Sequence, residues 1–272
     1  MFKRYLTMIE NTLLRIPGYI IIASVLVVAY FLKKRGIMFS VSSSNVWENI
    51  FTERNLFTTW LPVAILILLS GVGISREDDA VRYVRMKNRT QLSLVNLLSA
   101  FTAVVLFSVA FMLAAAIYFR ISQGLTFENS WSPAIKNGLY DGPAQSFPVP
   151  TVVAHFSPVG AVLLKLLYEI IYATFLAIVS MTVNTLCKQS VGSIFCALTI
   201  VSAALFGNRL MGEYSFYPWY NGDLRALTET NNFTFVFYSI IYWVVALTAV
   251  SAAYCLVMRK CDLISLSRED RT

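Results

Sequence analysis

Few side chains in this chain are placed to do chemistry, and the clearest pair is Lys165 and Glu169. They lie four residues apart, on one face of any helix that contains them, in an otherwise apolar stretch. Opposite charges at that spacing can pair, and at membrane depth they face protein or water rather than lipid. One reading makes them the lining of a substrate or proton path. The other, preferred here, places them near the outer interface, because Pro158 opens the helix only seven residues earlier and both side chains would then reach water. Other chemistry is sparse. The chain has one histidine, His155, and its four cysteines, Cys187, Cys196, Cys255 and Cys261, form no CxxC pair. A zinc or redox site is not expected, and the cysteines read as small apolar packing residues. No GxxxxGK[ST], HExxH or GxSxG motif is present, so catalysis by this chain alone is not expected.

Two further constellations are charged rather than catalytic. Phe2, Leu6, Ile9, Leu13 and Ile16 recur at helical spacing, with Lys3, Arg4, Glu10 and Arg15 mostly on other faces. Such a stripe suits a helix lying in the membrane plane, serving either as an anchor or as a docking element for a partner. The second is Ser75–Gln91, which holds five positive and three negative residues and neither glycine nor proline. A simple linker needs only a few residues, so a charged helical insertion of this length reads as a contact surface for a soluble partner.

The elements that must position these residues are membrane spans. The chain has 272 residues, of which 57% are hydrophobic and 14% charged, with a mean hydropathy of +0.64. Soluble domains carry about 25% charged residues. A membrane helix needs about 20 apolar residues to cross a hydrocarbon core of about 30 Å. Six segments meet that demand: residues 17–32, 57–74, 92–119, 159–186, 191–206 and 233–257. The third and fourth are long enough to tilt or to project from the bilayer. Ten-residue alternating segments are missing, which argues against a barrel. The expected fold is an all-α, six-transmembrane helical bundle in a single domain. It would carry an amino-terminal interfacial helix and a cytoplasmic helix between spans two and three.

Orientation follows from lysine and arginine. With the amino terminus inside, thirteen basic residues fall on inner segments and eight on outer ones. That bias favours both termini in the cytoplasm, the Lys33-Lys34-Arg35 cluster being the exception. The +7 net charge then reflects flanking residues, and nucleic-acid binding is not indicated. The first span, followed by that cluster and lacking a cleavage site, is not expected to be a signal peptide. Arg120–Pro158 carries five prolines and is expected to be extended or turned backbone. Gly207–Asn232 forms a second sizeable outer loop, with Tyr217, Trp219 and Tyr220 suited to the interface.

Three local phrases carry a family resemblance. Arg76-Glu77-Asp78-Asp79 is followed by Arg85-Met-Lys-Asn-Arg89 just before the third span. Trp47-Glu-Asn-Ile-Phe51 leads to Leu61-Pro62 at the second. Arg259-Lys260-Cys261-Asp262-Leu263-Ile264 follows the last. In order and character the chain resembles, over nearly its whole length, the integral membrane subunit of a bacterial ABC-2 type ABC transporter, of the small six-span Gram-positive kind. Members often have a lysine just before the third span, and this chain has Asn96 there or no counterpart. The resemblance implies a plasma-membrane exporter subunit, paired with an identical or homologous second subunit and with a separate ABC ATPase. That ATPase would hold ATP and Mg, leaving no cofactor in this chain. Glu77, Asp78, Arg82, Arg85, Lys87 and Arg89 would form the ATPase-coupling surface, and the cargo would be a hydrophobic or amphipathic peptide, antimicrobial or lipid-like molecule. The alternative is a membrane immunity or sensor protein that binds an extracellular peptide through its outer loops.

Overall fold

The computed structural model describes residues 16–34, 45–53, 56–69, 89–136, 150–187, 191–210, 218 and 234–260. All regular structure among them is helical. Its elements are α1 (Ile16–Lys34), α2 (Val46–Thr52), a π-helical turn (Leu56–Trp60), α3 (Leu61–Leu69), α4 (Arg89–Gln123), α5 (Pro133–Lys136), α6 (Pro150–His155), α7 (Pro158–Cys187), α8 (Val191–Leu210) and α9 (Thr234–Lys260). Among the described residues three helices are long and apolar enough to cross a membrane: Thr90–Gln123, Pro158–Cys187 and Tyr238–Lys260. Three shorter apolar helical stretches accompany them, Pro17–Tyr30, Leu56–Leu69 and Val191–Val201. At 1.5 Å per residue α4 is ~50 Å long, well beyond a hydrocarbon core of about 30 Å.

Proline decides where several elements begin. Pro133, Pro150 and Pro158 each occupy the first position of a helix, where a missing N–H costs nothing and a fixed φ is already helical. The proline-rich stretch before α7 was expected to be free of helix, and here it contributes α5 and α6. Pro62 acts differently. It has no N–H for the Thr58 carbonyl, and its ring would crowd that carbonyl in a regular helix. The backbone answers with the wide turn at Leu56–Trp60 immediately before α3.

Consecutive apolar helices alternate in direction. The end of α4 and the start of α7 meet where Val159 N–H donates to Asn129 Oδ1 at 3.1 Å and Trp131 Nε1–H to the Phe156 carbonyl at 2.7 Å. The tail of α7 meets the head of α8 through Asn184 and Gly192, 2.8 Å apart. Asn96 near the start of α4 bonds Tyr254 near the end of α9. The α7 helix is the hub, contributing to all three buried clusters. The largest surrounds Phe57, Phe107 and Phe111, whose rings stack edge-on or tilted at centroid distances of 6.0 Å. Tyr19, Ala23 and Val27 bury one face of α1, leaving Ile20, Ile21 and Val25 outward. Three threonine hydroxyls of α7 return to their own helix: Thr174, Thr182 and Thr185 donate to the carbonyls four residues back at 2.7 to 2.8 Å. Such back-bonding satisfies a hydroxyl within its own helix.

The α9 helix is packed least. Only 11% of its apolar window is buried within the chain, against 61% for α7. Tyr238, Ile241, Val244 and Val245 point away from the bundle.

Candidate functional site

The densest polar arrangement lies at the end of the bundle where α1 finishes, α4 finishes and α7 begins. It starts with a local signal. Asn45 has extended backbone, φ −113° and ψ 128°, and its Oδ1 accepts from Trp47 N–H at 2.9 Å, which caps α2. Its amide nitrogen reaches across the chain to the carbonyls of Glu128 at 2.6 Å and Ser130 at 3.1 Å. Val46 N–H adds a bond to the Thr126 carbonyl at 2.9 Å. Glu48 occupies the position from which a capping-box carboxylate bends back to the cap. Here it turns outward instead, and Oε1 accepts from Ser132 N–H. Glu48 is fully buried, and its Oε2 has no hydrogen-bond partner among the described residues.

The other end of α2 is closed by Lys165. Its ammonium donates to the carbonyls of Ile50 at 3.1 Å, Phe51 at 2.9 Å and Glu53 at 3.0 Å, and lies 4.7 Å from the centre of the Phe57 ring. These carbonyls belong to the last turn of a short helix, where intrahelical donors run out and the dipole is negative. A cation with three donors meets three acceptors. Tyr30 Oη–H donates to Glu53 Oε2 at 2.9 Å and ties in α1. Trp131 stacks edge-on against Phe51 at 5.6 Å.

Lys165 is 7% exposed and Glu169 1%. The expectation that both side chains reach water is therefore corrected. The reason is α2, which folds back over the opening turns of α7 and covers them. Lys165 is held as a structural cation, and Glu169 sits one turn deeper on the same face of α7. Of the other sequence-predicted residues, Phe2, Leu6, Ile9, Leu13, Glu77, Asp78, Arg82, Arg85 and Lys87 lie outside the described residues. Ile16 opens α1 and Arg89 opens α4.

Residues missed in the sequence are mostly joints. Asn45 and Glu48 carried a readable signal in their Asn-x-x-Glu spacing before an apolar run. Asn184 and Gly192 did not. Asn184 lies on α7 yet its Oδ1 accepts from Gly192 N–H, supplying the start of α8 with an acceptor from another helix. A Cβ on Gly192 would come within 2.4 Å of the Ser180 carbonyl oxygen and 2.8 Å of Asn184 Oδ1, so only glycine permits this approach. Ser180 and Ser193 hydroxyls complete the joint at 2.8 Å. Among the described residues no three histidine, cysteine or acidic side chains converge in a metal-binding group.

No protein family, curated protein or solved structure matches this chain.

Proposed function

We propose that this chain is the transmembrane subunit of an ATP-driven ABC exporter in a bacterial plasma membrane. All six apolar helices cross the bilayer, both termini are cytoplasmic, and a second membrane subunit completes the translocation path. ATP and Mg bind to a separate ATPase, which docks on the charged segment between α3 and α4. The cargo is hydrophobic or amphipathic, a peptide or a lipid-like molecule.

The observation that carries this reading is the alternation of the helices. It puts Leu69, at the end of α3, and Arg89, at the start of α4, toward the end of the bundle that also holds Arg259 and Lys260, opposite the knot built on α2. In the sequence, the segments assigned to that end hold thirteen basic residues against eight for the other, the bias expected of a cytoplasmic face. The ATPase contact is assigned to Glu77, Asp78, Arg82, Arg85, Lys87 and Arg89 on their sequence alone, because charges of both signs orient such a partner. The least-packed helix, α9, keeps an apolar face for lipid.

The test is purification of the tagged chain from its native membrane in mild detergent. A stoichiometric P-loop ATPase should accompany it, and should be lost when Glu77, Asp78, Arg85 and Arg89 are all changed to alanine. A well-folded chain that purifies alone would sink the exporter reading. The sensor or immunity alternative draws on the outer loops, and predicts peptide binding that is lost when much of Arg120–Pro158 is deleted and is indifferent to any ATPase.

A further inference from the structure

Between α4 and α9 lies an open cleft of about 420 Å³, lined by Leu94 and Leu97 on one side and by Leu247, Thr248, Ser251, Ala252 and Cys255 on the other. Its upper end is closed in a specific way. Thr248, Ala252, Cys255 and Arg259 follow one another at intervals of four, three and four residues, so they share one face of α9. Thr90, Leu94 and Leu97 do the same on α4. Arg259 Nη2–H donates to Thr90 Oγ1 at 3.3 Å, which places a guanidinium over the mouth of the cleft. Lys260 is next in sequence, and both basic side chains are exposed in the last turn of α9.

We infer that this cleft is a binding site for one anionic phospholipid, with an acyl chain along the cleft and the phosphate at Arg259 and Lys260. The length fits. From Leu247 to Arg259 is roughly 18 Å at 1.5 Å per residue, close to one leaflet of a hydrocarbon core about 30 Å thick. The chemistry fits as well, since the walls are mostly apolar, interrupted by the Thr248 and Ser251 hydroxyls, and among the described residues the charge stands at the rim. Basic residues at the bilayer surface between transmembrane helices attract anionic headgroups. The site requires only that α4 and α9 lie in a membrane, and is independent of any ATPase.

Native mass spectrometry of the full chain tests this. The protein is released from micelles containing equal amounts of phosphatidylglycerol and phosphatidylcholine, and retained lipid is counted. Phosphatidylglycerol should be retained preferentially. Each basic residue near an anionic surface contributes about five-fold, so the Arg259→Gln, Lys260→Gln double variant should lower that preference about thirty-fold. Ala252→Trp, on an exposed position, should fill the cleft and remove the retained lipid while both cations remain. Equal retention of the two lipids by the wild-type protein would overturn the site, leaving only a non-specific annular layer. Undiminished preference in either variant would overturn it too. So would a change of oligomeric state in Ala252→Trp with lipid retention unaltered, which would give the cleft to a second copy.

Discussion

Replacing Lys165 with methionine keeps the length and packing of the stem and deletes the ammonium that closes α2. Hydrogen bonds to charged groups contribute about 1.5–3 kcal/mol each, and Lys165 makes three, at 2.9 to 3.1 Å. Their sum overstates the loss, because the Glu53 carbonyl is only partly buried and regains water. The variant is also relieved of an ammonium that was costly to desolvate. Against that relief, the Ile50 and Phe51 carbonyls stay buried, and each abandoned acceptor costs about 1–3 kcal/mol. The expected net destabilisation is about 3–5 kcal/mol, the range found when one partner of a buried charged contact is removed. Lys165→Arg should fall between the two, since a planar fork cannot converge on three carbonyls as an ammonium does. Reversible unfolding in mixed micelles with increasing dodecyl sulfate gives the global value. Tryptophan fluorescence adds a local one, because Trp131 stacks on Phe51. A methionine variant within about 1 kcal/mol of wild type, with unchanged fluorescence, would refute the idea that Lys165 is a clamp.

Three other variants probe the remaining joints. Gly192→Ala should destabilise by about 1–3 kcal/mol, because its Cβ meets the Ser180 carbonyl oxygen at 2.4 Å and backbone must move; thermal unfolding in detergent measures it. Asn184→Ala should cost about 1 kcal/mol and Asn184→Asp much less, since an acceptor for Gly192 N–H survives only in the latter; equal losses would show that the bond contributes nothing. Tyr254→Phe deletes a 3.2 Å bond to Asn96. Interhelical bonds of this kind average about 0.6 kcal/mol in membranes, so a double-mutant cycle with Asn96→Leu should return a coupling of that size.

The apolar segments were legible in the sequence because the demand behind them is local. About 20 apolar residues are needed wherever a helix must cross hydrocarbon, and all six expected segments are helical where they are described. The cap at Asn45 was missed, although its donor is only two residues away and the signal is equally local. Prolines before α7 misled, since a proline that breaks a helix interior is well suited to a helix start. Other features belong to tertiary structure alone. Lys165 and Glu169 looked like residues at a wet interface until α2, more than a hundred positions earlier, was found lying over them. Glu48 meets Ser132 across 84 positions, and Arg259 meets Thr90 across 169. No window of the chain contains both partners of such contacts. Spacing along one helix therefore established which residues share a face, and the packing of helices against one another decided what that face touches.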